Sequence, residues 1–259
     1  MSNSVVKTAE ELELELVVRT DVPQRQSYTE YRDELRLDFF YSCAYCTMSE
    51  AEGQAIRFVI DHYYPKNERP DLINNYQNLL YTCDACNMRK SDRIQPATAR
   101  AAGYRLFRPD QDYRSQNFKC VEYRLSGTTI TGEFTVEELD LDRAQLRRLR
   151  SIRDRLTKCA PLVAEGIMAL RNFQFDQLPQ GIRGAAVKAI GKARDLTEML
   201  ENDIDEHLKI HAKSEMVDND NTPEELARKK ARAEKLKSTE ALFPGKWRAD
   251  RNKKAKKAK

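Results

Sequence analysis

Residues 56–90 read IRFVIDHYYPKNERPDLINNYQNLLYTCDACNMRK, and the order of residue types along this stretch decides the fold. Phe58, Val59 and Ile60 form a β-prone apolar run that ends on the pair Asp61-His62. A charged loop, KNERPDLINNYQN, separates it from a second short apolar run, LLYT. The pair Cys83 and Cys86, spaced CxxC, then opens a helix-like segment, NMRKSDRI. Strand, long loop, short strand and helix in that order make a ββα unit.

Working upstream, Cys43 and Cys46 form a second CxxC, in the sequence CAYC. Ser27 or Thr29 is placed to cap a short helix through Tyr31, Leu35 and Phe39 that delivers the chain to Cys43. Before Pro23, EELELELVVR alternates Leu12, Leu14 and Leu16 with Glu11, Glu13 and Glu15, the pattern of a half-exposed strand. Downstream, Pro96 breaks the helix after Cys86, and ATARAAG starts another that Gly103 ends. From Phe118 the chain reads as a hairpin with Ser126 and Gly127 at its turn and β-branched residues beyond. Asp142 and Gln145 then resemble a capping box, and Leu146, Leu149, Ile152 and Leu156 recur at near-helical spacing until Pro161. Two further helical stretches, about 162–174 and 184–213, make the C-terminal half mainly α.

With 259 residues and a net charge of +4, composition alone does not announce a nucleic-acid binder. No apolar run approaches the roughly 18 residues of a membrane helix, and the N-terminus lacks a secretion pattern, so a cytoplasmic protein without membrane partners is expected. Arg251, Lys253, Lys254, Lys256, Lys257 and Lys259 give the C-terminus a cationic run that reads as a flexible tail.

Six cysteines without an export signal argue against disulfides and for metal ligation or plain burial. Cys43, Cys46, Cys83 and Cys86 supply two thiolate pairs, and residues i and i+3 on a tight turn can aim both sulfurs at one tetrahedral Zn²⁺. Burial of the four without metal is the alternative. A four-thiolate zinc has no open position, so it holds the fold and any chemistry needs a second metal. Cys120 and Cys159 read as structural residues. The gap from Cys46 to Cys83 exceeds the roughly 15–20 residues of a short zinc ribbon, and the insertion carries Asp61 and His62. A histidine at a strand end can take a proton from water near neutral pH, while the neighbouring carboxylate can hold a hard divalent cation. Metal-assisted hydrolysis is the chemistry that this pairing suits; a zinc-bound module in which both are ordinary residues is the alternative.

CAYC, then IDHYYP, then NNYQNLLYTCDACNMRK resembles the HNH endonuclease family, in the branch with four zinc-binding cysteines. The resemblance implies an α+β fold with a ββα-metal core, His62 as general base, Asp61 as first metal ligand, Asn78 as the central asparagine that braces the loop, and Asn87 as the last metal ligand. Asn78 matches the family's spacing before Cys83, with Asn74 and Asn75 as possible substitutes. The implied ion is Mg²⁺ or Mn²⁺ for catalysis beside structural Zn²⁺, and the implied substrate is DNA, double-stranded. Lys90 matches a frequent family lysine and with Arg89 is expected to meet the DNA backbone. Family members with helical extensions serve in restriction or antiphage defence, and some look like partners of an ATPase subunit.

Other signals are weaker. His207 and His211 stand four apart on an expected helix but lack a third ligand, and an exposed charged helix explains them as well. Arg143, Arg147, Arg148, Arg150, Arg153 and Arg155 could grip phosphates or a protein partner. The expected organisation is an N-terminal extension (1–27), a nuclease core with its zinc knuckle (28–110), a hairpin with a helical region (111–213) and a basic tail (214–259). Three functions fit: a DNA endonuclease or nickase, a nuclease subunit active only in a complex, and a zinc DNA-binding module without activity.

Overall fold

The computed structural model describes residues 17–53 and 55–171, most of 180–192, residues 195, 196 and 199, and residues 222–248. The chain divides into two compact units, residues 1–146 with 220–259 and residues 147–219. Helices and two small antiparallel sheets make an α+β fold. No helix among the described residues is long and apolar enough to cross a membrane.

In the first unit, Ser27 caps a 3-10 turn (Tyr28–Tyr31) that runs into α1 (Arg32–Asp38). The Glu30 carboxylate accepts in return from the Ser27 N–H, the reciprocal arrangement that satisfies two orphan donors. The stripe Tyr31, Leu35 and Phe39 is buried, as its i, i+4 spacing requires. After the short helix α2 (Glu50–Gly53), β1 (Phe58–His62) pairs antiparallel with β2 (Leu79–Cys83), Phe58 opposite Cys83 and His62 opposite Leu79. All five residues of β2 are buried, which is why LLYTC is an unbroken run and not an alternation. Helix α3 (Asp84–Lys90) follows directly and packs on both strands, completing a strand-strand-helix unit. Phe58 stacks on its diagonal neighbour Tyr81 with ring centroids 5.4 Å apart.

α4 (Ala97–Ala101) ends near Gly103, whose φ of +90° suits glycine. α5 (Arg114–Asn117) then leads to the hairpin β3 (Phe118–Val121) and β4 (Arg124–Gly127). The hairpin's turn is not at Ser126-Gly127. It is made by Glu122 and Tyr123, both at positive φ, the two-residue geometry that matches strand twist. Gly127 serves packing instead: a Cβ there would lie 1.9 Å from the Glu133 nitrogen, and one on Gly132 would lie 1.9 Å from the Asn117 oxygen. The β-branched residues beyond the hairpin enter a helix, α6 (Ile130–Leu139), because Thr129 Oγ1 accepts from the Gly132 N–H as its N-cap.

α7 (Ala144–Arg171) continues through Pro161, where a stop was expected; the proline removes one backbone donor without breaking the run. The larger correction concerns the C-terminus. Pro223–Leu242 forms a helix, α8, with Thr222 as N-cap and proline in its first turn. Arg228 pairs with Asp140 at 2.6 Å and with Glu225 at 2.8 Å, Arg232 donates to the Glu137 and Glu138 carbonyls, and Arg93 bridges Glu138 and Glu240. Trp247 is buried and its carbonyl accepts from the Ile94 N–H. Residues 222–248 of the expected tail are therefore docked, Arg228 on Asp140 and Glu240 on Arg93, both far away in sequence. Residues 249–259, His207, His211 and most of the expected N-terminal strand lie outside the described residues, as does the side chain of Cys159. Cys120 is exposed in β3 and not a core residue.

Candidate metal centre and active site

The four cysteines meet where the two arms of the chain converge. Cys43 and Cys46 lie on a tight turn closed by the Thr47 N–H to the Cys43 carbonyl, with Thr47 at φ +61°, and the Ala44 N–H bonds the Tyr81 carbonyl to tie that turn to β2. Cys83 is the N-cap residue of α3 and Cys86 sits three residues into it, so both point the same way. All four sulfurs lie within 4.8 Å of one another and are buried, and Cys46 Sγ is 3.7 Å from Cys83 Sγ. Zinc–thiolate bonds of about 2.3 Å in a tetrahedron separate sulfurs by about 3.8 Å, so a metal such as zinc fits the cluster. Burial pushes the Cys43 thiol well above its ordinary range, whereas hydrogen bonds from the other thiols hold Cys46 well below. Arg143, expected on a phosphate-gripping face, is only 2% exposed and brings Nη2 to 4.0 Å from Cys86 Sγ, a cation beside an anionic cluster.

His62 ends β1, and its Nε2 lies 2.9 Å from the Ile73 carbonyl. A carbonyl can only accept, so Nε2 carries the proton and Nδ1 is the basic nitrogen. The residue is 6% exposed, covered on one side by the edge of Tyr28 with ring centroids 4.8 Å apart. Burial lowers the imidazole below its usual range against the opposing pull of the Ile73 carbonyl, and the Lys66 ammonium lowers it further. Lys66 is exposed and stands 3.8 Å over the Tyr28 ring.

Asn78 is buried and spans the loop after β1: Oδ1 accepts from the Tyr64 N–H at 2.9 Å, and Nδ2 donates to the Tyr64 and Leu72 carbonyls. Asn74 clamps the same loop from the other side, donating to the Gln26 carbonyl and accepting from the Tyr28 N–H. The two asparagines thus have separate jobs, and Asn75 only caps the next turn. Asn74 holds the peptide next to the Ile73 carbonyl, so residues 24–28, expected to border an extension, help fix the histidine.

Asp61 is 5% exposed and both of its oxygens are engaged: Tyr45 Oη donates to Oδ2 at 3.0 Å, and Lys90 Nζ lies 2.8 Å from Oδ1. Lys90 also donates to the His62 carbonyl at 2.6 Å and is itself 1% exposed. Asn87 is half-buried one turn earlier on α3. Lys90, expected to meet the DNA backbone, is turned inward onto Asp61 in this arrangement. The helical period puts Cys86 and Lys90, four apart, on the face toward β1, while Met88 turns outward at 62% exposure. Arg89 is engaged too, with the Ala85 carbonyl at 3.0 Å and the Asp140 carboxylate at 3.9 Å. Tyr28, Tyr45 and Lys66 were missed in the sequence because nothing in their local pattern marks them.

No family profile matches the chain, and no solved structure matches it. A curated protein, Septu protein PtuB of Bacillus thuringiensis, is 32% identical over 107 residues, 41% of this chain and 38% of that protein. The match thus spans well under half of the relative's length. The chain is similar, distantly and in part, to a Septu protein.

Proposed function

We propose that the chain is an HNH-type, metal-dependent endonuclease or nickase that hydrolyses phosphodiester bonds of double-stranded DNA, and that it serves antiphage defence. The observation that carries this reading is the state of His62: neutral through burial, with Nε2–H fixed on the Ile73 carbonyl and Nδ1 left as the base, beside Asp61 at the end of one strand. The partial similarity to a Septu protein supports the defence role.

His62 Nδ1 takes a proton from a water molecule, whose oxygen attacks phosphorus in line while the 3′ oxygen departs. Asn78 and Asn74 keep the Ile73 carbonyl in place, so the imidazole holds its tautomer as it becomes cationic. Lys66, exposed beside the histidine, meets the scissile phosphate. Asp61 and Asn87 offer a carboxylate and an amide oxygen, donors that suit a hard cation, and the Lys90 ammonium on Asp61 marks the place as one that holds positive charge. Mg²⁺ or Mn²⁺ held there would stabilise charge on the phosphate and on the leaving oxygen. Zn²⁺ at Cys43, Cys46, Cys83 and Cys86 would hold the fold.

Purified protein with supercoiled plasmid and Mg²⁺ or Mn²⁺ should nick or linearise it, and His62→Ala should not. A second reading, a subunit active only with a partner such as an ATPase, is favoured by the Lys90 contact, since the carboxylate starts out occupied; cleavage that needs a neighbouring gene product would select it. DNA retention without cleavage in any divalent ion, alone and with that partner, would leave a zinc-stabilised DNA-binding module and overturn the nuclease.

A further inference from the structure

Lys90 takes up the Asp61 oxygen that a cation would need if Asp61 is a metal ligand. Its Nζ is 2.8 Å from Asp61 Oδ1 and 2.6 Å from the His62 carbonyl, and the side chain is 1% exposed. The Tyr45 hydroxyl donates to the other carboxylate oxygen at 3.0 Å. Both oxygens of Asp61 are thus engaged, one by the lysine and one by the hydroxyl. A divalent ion binds oxygen at about 2.1 Å, which would bring it within bonding range of the space that Nζ fills. Two cations cannot share one buried carboxylate without strong repulsion.

We propose that Lys90 is an internal counter-ion that exchanges with the divalent cation: it neutralises Asp61 while the site is empty of metal, and must leave the carboxylate for the metal to bind. This rests on Asp61 being a metal ligand, as in the nuclease reading. Affinity for the free ion is reduced by the fraction of molecules in which Lys90 holds the carboxylate. The expelled ammonium, on a four-carbon stem at the end of α3, then becomes available to a phosphate. The family-like position of Lys90 as a DNA contact would then belong to the metal-loaded state.

Mn²⁺ binding to the zinc-loaded, full-length protein without DNA tests the exchange, read by the electron paramagnetic resonance of free Mn²⁺. Lys90→Met should bind Mn²⁺ at least about tenfold more tightly than the wild type, and Asp61→Asn/Lys90→Met should lose that gain. Equal or weaker binding by Lys90→Met, or a gain that survives the Asp61 change, overturns the proposal. If Lys90→Met does not fold, the wild type decides: the ¹H–¹⁵N signal of the protected Lys90 ammonium should vanish on adding Mg²⁺ and persist in Na⁺ of equal ionic strength. A signal indifferent to Mg²⁺ rejects the exchange. Because none of these readouts involves cleavage, a gain in Mn²⁺ affinity in a protein that never cuts DNA would sink the nuclease reading and leave the exchange standing.

Discussion

The cysteine cluster and the Asp61 carboxylate, which the proposed function makes a second place for a metal, are built on opposite plans. The cysteine cluster is complete: four buried sulfurs converge within 4.8 Å of one another. At the end of β1 the Asp61 carboxylate is shared between Tyr45 and Lys90. A closed soft-donor site suits an ion that never leaves, and a hard-donor site held by an exchangeable ammonium suits one that comes with its substrate. The two share α3, which supplies Cys86 to the first and carries Lys90, the partner of Asp61, beside the second. The fold of the first is therefore a condition for the geometry of the second.

Breaking the cysteine cluster should have the largest effect. Structural zinc contributes about 10–16 kcal/mol in small zinc domains, as much as the roughly 5–15 kcal/mol net stability of a domain. Cys83→Ser should lose the metal by elemental analysis and the cooperative melt of the first unit with it. At the other site, His62→Ala should slow cleavage by about 10²–10⁴-fold while zinc content stays unchanged, with the melting temperature lowered only modestly by loss of the Ile73 hydrogen bond and the Tyr28 ring contact. Asn78→Ala falls between the two kinds. It removes three hydrogen bonds of the loop, so it should cost about 1–3 kcal/mol in a denaturant melt and slow cleavage by about 10–100-fold.

The smallest effect expected is electrostatic. Neutral His62 is the base, and its pKa lies below the usual 6.5, so cleavage should be constant near pH 7 and fall only as pH drops through that lowered value. Lys66 helps to lower it. Lys66→Met should move the acid limb of the pH–rate profile upward, by less than about one unit for an exposed charge. A limb that stays put, or moves down, would show that Lys66 does not act on the histidine.

The sequence carried the unit that positions both sites, because every signal in it is local: the capped helix into Cys43, the two short apolar runs and the two CxxC spacings. It also placed Asp61 and His62 at a strand end, where β1 ends on them. It misread whatever depends on distant partners. Lys90 is polar and near a helix end, a surface signature, yet its period from Cys86 faces inward onto Asp61. The arginines of α8 resemble a solvated tail until Asp140 and Glu138, more than eighty residues earlier, are brought against them. Gly127 reads as a turn residue because turns and close packing both select glycine.

The proposed division of labour between a structural and a catalytic metal can be tested in one preparation. Protein dialysed free of Mg²⁺ and Mn²⁺ should retain one zinc per chain and leave plasmid intact, should cleave once Mg²⁺ or Mn²⁺ is restored, and should stay inert when Asp61→Asn is treated in the same way. Cleavage at full rate by the zinc-only protein, or by Asp61→Asn after Mg²⁺ is added, would contradict the account.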